Sequence, residues 1–167
     1  LGSLGYTVMV SNYLKHYKML EYLSSIARGN LVGVIMGIYN LHIIFDEKYY
    51  RHLSGGILEA FGKLFFKDLK VYLYPMIDEE TGELITSNNM NVHPRMRELF
   101  KFFKYNGKVV DIIDYDPEIL NIFSRDVLQK IKNNESGWEK MLPEVVAEQI
   151  NEKQLFRDLE GREIPDL

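Results

Sequence analysis

The chain contains no cysteine among its 167 residues. This absence excludes disulfide bonds, cysteine metal sites and thiol redox chemistry, and it favours a reducing compartment such as the cytoplasm. Positive charge is also scarce, because 20 lysines and arginines stand against 24 acids and give a net charge of −4. Such a chain lacks the basic footprint for binding duplex nucleic acid. Its small basic patch, Lys101, Lys104 and Lys108, is interpreted as a solvated helix face.

Long apolar runs are missing as well. The longest candidate extends from Leu31 to Tyr39 and contains two glycines, whereas a membrane span needs roughly 18 apolar residues. We therefore expect no membrane-spanning segment. The rest of the composition is that of a globular protein, with 46% hydrophobic and 26% charged residues, and the length fits one domain.

Apolar runs typical of strands alternate with segments that have helical spacing. The expected strands are 6–10, 31–37, 69–74 and 109–113, with 84–86 as the returning arm of a hairpin. Helices are expected at 14–27, 40–50, 56–66, 94–105 and 116–132, and from Pro143 onward. This order predicts an α/β fold with a mainly parallel sheet of four to five strands flanked by helices, Rossmann-like in the broad sense.

Residues 6–158 are interpreted as a single α/β domain, and residues 159–167 as a loose tail. The chain begins at Leu1 rather than at a methionine, and a strand pattern follows almost at once. We therefore expect the C-terminal fragment of a longer protein, with the missing N-terminal region of that protein as one of its partners.

Polar residues follow two of the expected strands. Ligands of open parallel sheets bind beyond the carboxyl ends of the strands, where the pattern places Ser11, Asn12 and Asn40. Asn12 and Asn40 would also serve as ordinary helix caps, and Ser11 as a turn residue, whatever the function. The sequence leaves both interpretations open.

The segment from His52 to Gly56 is a second candidate. Gly55 and Gly56 would expose backbone N–H groups at a helix start, and such groups, with Ser54 beside them, hold phosphates. The chain has neither a P-loop nor a G-x-G-x-x-G pattern, so capping or close packing explains the glycines equally simply. His52 is the best candidate for an acid–base role, but the sequence identifies no carboxylate partner for it, and a surface histidine is the alternative.

A metal site has little support in the sequence. No two histidines have an i, i+4 spacing with a carboxylate between them. Asp111, Asp114 and Asp116 would bind Mg²⁺ beside a nucleotide only if they converged. Strand alternation places Asp111 and Asp114 on different faces, so we expect no metal site.

The run YYRHLSGGILEAFG from Tyr49 to Gly62, followed by KVYLYP at 70–75, resembles the C-terminal region of a poorly characterised bacterial family. The resemblance continues through 122–124 and 138–150 and covers about residues 6–150. Some members carry the name nicotinate-nucleotide adenylyltransferase, but the H-x-G-H and I-S-x-S-x-x-R motifs of that class are absent. The resemblance implies longer relatives with an additional N-terminal region, and it assigns no catalytic residue.

Two functions are consistent with these features. The first is a domain of a larger enzyme that binds a nucleotide or another phosphate-containing ligand through Ser11, Asn12, Asn40 and the segment 52–56. The second is a non-catalytic domain for homo-oligomerisation or partner docking, through its tyrosine- and phenylalanine-rich helices and the helix from Pro143. A Rossmann-like sheet hosts both kinds of function.

Overall fold

The computed structural model describes residues 1–13, 15–65 and 68–156. The chain divides into two compact units, each with its own hydrophobic cluster. The first unit combines residues 1–12 with the chain from residue 121 onward, and the second unit is residues 13–120. The single domain expected over 6–158 stays a prediction, and the expected tail at 159–167 lies outside the described residues.

A parallel sheet forms the centre of the second unit. The described part of this unit contains five strands, which are β1 (Val32–Gly37), β2 (Leu69–Tyr74), β3 (Met76–Ile77), β4 (Leu84–Ile85) and β5 (Val109–Asp111). The parallel sheet has three strands in the order β1-β2-β5, with Val32 opposite Leu69 and Val71 opposite Val109. β3 and β4 form a separate antiparallel pair. The fold is therefore mixed α/β.

The parallel sheet is smaller than the four to five strands that the sequence predicts. The segment 6–10 forms no strand, although its residues favour one, because strand propensity becomes structure only where a neighbour supplies a hydrogen-bond ladder. The strand expected at 84–86 as the returning arm of a hairpin is confirmed at Leu84–Ile85, which pairs antiparallel with β3 outside the parallel sheet. Asp78 closes this hairpin by accepting hydrogen bonds from the N–H groups of Glu80 and Thr81.

Four α-helices lie in the second unit within the ranges that the structure describes. They are α1 (His16–Ile26), α2 (Ile38–Ile44), α3 (Gly56–Leu64) and α4 (Arg97–Tyr105). The helix expected at 40–50 is divided, because α2 ends at Ile44 and a 3₁₀ turn follows at Glu47–Tyr50. The Tyr50 hydroxyl donates to the Ile44 carbonyl at 2.9 Å, which satisfies a carbonyl that the end of α2 leaves open. Burial raises the pKa of Tyr50 above its usual range.

Aromatic rings form the core between the sheet and the helices. Phe61 of α3 lies at the centre, with its ring centroid 4.8 Å from that of Phe45, 5.4 Å from that of Phe103 and 5.5 Å from that of Phe65. These pairs meet edge to face, a geometry that adds about 0.5–1.5 kcal/mol beyond the burial of area. The core therefore joins α3 and α4 to the turn after α2.

The first unit contains α5 (Ser124–Lys132) and α6 (Glu144–Glu152). Its cluster surrounds the buried Trp138 and includes Val127, Ile131, Ala147 and Ile150.

The prediction of one continuous helix over 116–132 is wrong. Asp116 caps a 3₁₀ turn at Pro117–Ile119 as its sequence predicts, but the backbone is extended at Phe123, so α5 starts separately.

In the described part of the chain, every helix is too short or too polar to cross a lipid bilayer.

Two leucines of α3 test the packing. Leu64 is fully buried, whereas Leu58 is 66% exposed on the same helix. We expect Leu64→Ala to lower the free energy of unfolding by about 2–5 kcal/mol, because it removes core contacts and leaves a cavity. Leu58→Ala should change it by less than about 0.5 kcal/mol. Urea unfolding followed by far-UV circular dichroism measures both, and equal losses would contradict the described packing.

Candidate functional site

The residues that the sequence proposes as a site are divided between the two units. Ser11 and Asn12 belong to the first unit, and both are exposed. Asn40 lies inside α2, where Gly37 is the cap residue, so Asn40 caps nothing. Within the described part of the second unit, no hydrogen bond joins Asn40 to the segment 52–56. The site that the sequence proposes therefore stays a prediction.

Gly55 already binds a carboxylate of the protein itself, that of Glu59. The Gly55 N–H donates to Glu59 Oε2 at 3.0 Å, and Lys63 Nζ lies 3.3 Å from Glu59 Oε1. A Cβ at Gly55 would lie 2.9 Å from the Glu59 Cβ, so only glycine permits this approach. Gly56 has a φ of +57°, which also favours glycine. This geometry supports the capping interpretation of the pair.

His52 has a tyrosine, and not a carboxylate, as its hydrogen-bond partner. Tyr17 Oη lies 3.1 Å from His52 Nε2. Both residues line an open cleft of about 490 Å³ together with Lys18 and Glu21 of α1. Because no carboxylate of the described residues bonds the ring, His52 has no orienting partner there of the kind that an acid–base residue usually has.

Charge distinguishes four surface clefts of the second unit. The cleft beside His52 contains Glu21, and a cleft of about 490 Å³ at the amino ends of β1 and β2 contains Glu21 and Asp68. A cleft of about 310 Å³ after α2 contains Asp46 and Glu47. The fourth, of about 450 Å³, has no acidic residue among the described residues that line it. This fourth cleft is the best candidate for binding an anion.

The fourth cleft, called the α4 cleft here, lies between α4 and the segment 87–92. Arg97, Lys101 and Lys104 follow one face of α4 at i, i+4 and i+7. Met90 and Phe100 are buried and supply an apolar lining. The cleft thus combines three cations with apolar and amide side chains.

Neutral oxygens orient two of the three cations. Arg97 Nε donates to the Val92 carbonyl at 3.3 Å, and Lys104 Nζ donates to Asn88 Oδ1 at 2.6 Å. Each bond uses one N–H and leaves the others for a ligand. Lys101 differs, because it is paired with Glu98 at 2.7 Å in an exposed salt bridge. Arg97 and Lys104 are thus held in place without neutralisation of their charge.

Ser87 attaches this cleft to the sheet. Its N–H donates to Asp111 Oδ1 at 2.9 Å, and its hydroxyl donates to Asp111 Oδ2 at 2.6 Å. Ser87 is only 4% exposed and Asp111 is half-buried, so these bonds are partly shielded from water. Asp111 is the last residue of β5, which places the wall of the cleft at the carboxyl end of the sheet.

Asp111 and Asp116, at this edge, have structural partners. Asp111 is occupied by Ser87, and Asp116 accepts the Glu118 N–H at 2.9 Å. Across the described ranges, no group of three or more histidine, aspartate or glutamate residues is placed to hold a metal ion.

The sequence patterns do not single out Arg97, Ser87 or Asn88. They favour a solvated face for Lys101 and Lys104, whereas Lys104 is half-buried and bonded to Asn88. The available signal was the spacing of cations at 97, 101 and 104 beside the amide-rich run SNNMN at 87–91. Neither pattern by itself distinguishes a cleft from a solvated surface.

Comparison of the chain with protein-family models, with curated proteins and with solved structures finds no match. The resemblance to a bacterial family therefore stays a prediction.

The turn at Gly55 and Gly56, called the glycine corner here, can be tested by titrating Glu59. The hydrogen bond from the Gly55 N–H, and then that from Lys63, hold the pKa of Glu59 below its usual range. Because the folded pKa is depressed, these bonds stabilise the fold above the ordinary carboxylate range, and the effect is lost as the pH falls through the folded pKa. In a carboxyl NMR titration we expect Lys63→Ala to raise this pKa, with the Gly55 amide shift following the same curve. A Glu59 pKa that Lys63→Ala leaves unchanged would contradict the described contacts.

Proposed function

We propose that this chain is a binding domain for a small ligand that carries phosphate, and that the ligand lies in the α4 cleft. One observation carries the proposal. Arg97 and Lys104 are oriented by a carbonyl and an amide oxygen, and none of the described residues that line the cleft is acidic. Cations in that setting keep their charge and their remaining donors for an anion.

Several features favour phosphate over a single carboxylate. Arg97 and Lys104 are seven residues apart on α4, which corresponds to about 10 Å along the helix axis. A diphosphate is shorter than this separation of the backbone, but the long side chains of arginine and lysine can both reach one that lies between them, and a nucleotide is larger still. Arginine also binds phosphate oxygens in a bidentate manner. The buried Met90 and Phe100 would contact an apolar or aromatic part of the ligand. A volume of about 450 Å³ suits such a molecule.

The position of the cleft supports the same proposal. Ser87 fixes its wall to Asp111 at the carboxyl end of β5, and open α/β sheets bind ligands beyond these ends. We extend the proposal, on the family resemblance, to a Rossmann-like domain in the broad sense, in a cytoplasmic bacterial enzyme that has a further N-terminal region. Nucleotides are then the first ligands to examine.

Isothermal titration with pyrophosphate and AMP tests the proposal, with uncharged adenosine for comparison. We expect Arg97→Gln and Lys104→Gln each to weaken binding of pyrophosphate by about ten- to a hundredfold, because each loses a charge-assisted hydrogen bond of about 1.5–3 kcal/mol. Lys18→Gln, on the exposed side of α1, and Arg125→Gln, in the first unit, are the matched controls and should bind as the unchanged chain does.

Two results would overturn this proposal. One is the absence of binding by both phosphate compounds at millimolar concentration and low salt, where charge attraction is screened least. The other is an equal affinity of all four variants. Thermal melting of each variant verifies that its fold is intact, so a loss of affinity is assigned to the cleft.

A further inference from the structure

β1 has the composition of an interior strand but lies at an edge. Among the described residues it pairs with β2 alone, since the sheet order is β1-β2-β5. Its six residues, VGVIMG, include no charge and no proline. Natural edge strands usually carry a charge, a proline or a bulge that prevents pairing with another chain. β1 carries neither a charge nor a proline, and it pairs with β2 without a bulge along its whole length.

The register identifies the backbone groups that face the free edge. The Val32 N–H donates to the Asp68 carbonyl at 3.0 Å, on the side of β2. In a parallel ladder alternate residues bond the same neighbour, so Val34 and Met36 also face β2. The N–H and C=O groups of Gly33, Ile35 and Gly37 then point away from β2.

Exposed apolar side chains accompany this edge. Ile35 is 71% exposed at the middle of β1. Leu31, just before the strand, is 54% exposed, and Tyr39, just after it, is 69% exposed. An apolar surface of this kind beside unpaired backbone groups marks an interaction site.

We propose that the free edge of β1 pairs with β1 of a second copy of this chain, antiparallel and about a two-fold axis perpendicular to the sheet. Such an axis keeps the helix-covered faces of both sheets on the same side. Residues directly opposite must then share a face, which is satisfied when Ile35 lies opposite Ile35 of the partner subunit. Gly33 then lies opposite Gly37 of the partner subunit. The N–H and C=O groups of the two Ile35 residues bond each other, and the Gly37 N–H donates to the carbonyl of the partner's Gly33, while the Gly37 carbonyl belongs to the first turn of α2.

The exposed Ile35 and the lack of charge make a second copy the fitting occupant. The register that places Ile35 opposite itself brings the two exposed isoleucine side chains together at the two-fold axis. No charge of β1 opposes its copy. A two-fold interface needs this kind of self-complementarity, because the same surface serves both partners.

A single introduced cysteine tests the register, since the chain has none of its own. A hydrogen-bonded antiparallel pair has a Cα–Cα distance of about 5.5 Å, which lies in the disulfide range of about 4.4–6.8 Å. We expect Ile35→Cys to form a covalent dimer on mild oxidation, at a rate that dilution in the micromolar range barely changes. Leu58→Cys, with 66% exposure on α3, is the matched control and should cross-link slowly.

Analytical ultracentrifugation of Ile35→Lys provides the second measurement. We expect the unchanged chain to sediment as a dimer and the variant as a monomer with the same melting temperature, because Ile35 contributes little to the core. Pyrophosphate binding should be the same in both, which separates this inference from the proposed function. A monomeric unchanged chain at hundreds of micromolar, a dimeric Ile35→Lys variant, or equal cross-linking of the two cysteine variants would each overturn the proposal.

Discussion

The hydrogen bonds from Ser87 to the Asp111 carboxylate are the constraint on which the candidate site depends. A carboxylate at the end of a strand loses water on burial, and the two donors of Ser87 replace it. The hydroxyl bond, at 2.6 Å, has the short length of a charge-assisted bond. Because Ser87 is held, the segment after it is held too, and it presents Asn88 and Val92 to the cations of α4.

The cleft and the glycine corner handle anions in opposite ways. At the corner, Glu59 supplies a carboxylate that satisfies the Gly55 N–H and pairs with Lys63. A helix start of this kind has its donors occupied by its own chain. In the α4 cleft, Arg97 and Lys104 bond to neutral oxygens instead. The second arrangement leaves charge available, which is why we assign ligand binding to it.

Local patterns predicted the elements whose packing is local. The apolar run of β2 and the helical spacing of α1 and α3 are confirmed with small shifts at their ends. The segment 6–10 has the same kind of strand pattern, yet it forms no strand, because pairing depends on a neighbour that composition does not specify. The prediction of a continuous helix at 116–132 is wrong for a related reason. The capping residue Asp116 determines where a helical turn begins, but it does not determine how far the helix continues.

The candidate site could not be predicted in the same way. Ser87 and Asp111 are 24 residues apart, and nothing in either local pattern joins them. The lysines of α4 are typical of a solvated helix in sequence, and only the tertiary structure places the amide of Asn88 against Lys104. Spacing gives the face of a helix, whereas the opposing wall of a cleft comes from tertiary structure. The polar residues that follow the strands in sequence, such as Asn40, were therefore weaker guides than the cations of α4.

NMR chemical-shift mapping of a pyrophosphate titration tests the central claim most directly. The account predicts that the largest shifts occur at the Arg97 Nε–H and the Asn88 side-chain amide, with a smaller change at the Ser87 N–H. The Gly55 amide should not move, because Glu59 occupies it. Shifts concentrated at Gly55 and Gly56, or no shift at any of these groups, would contradict it.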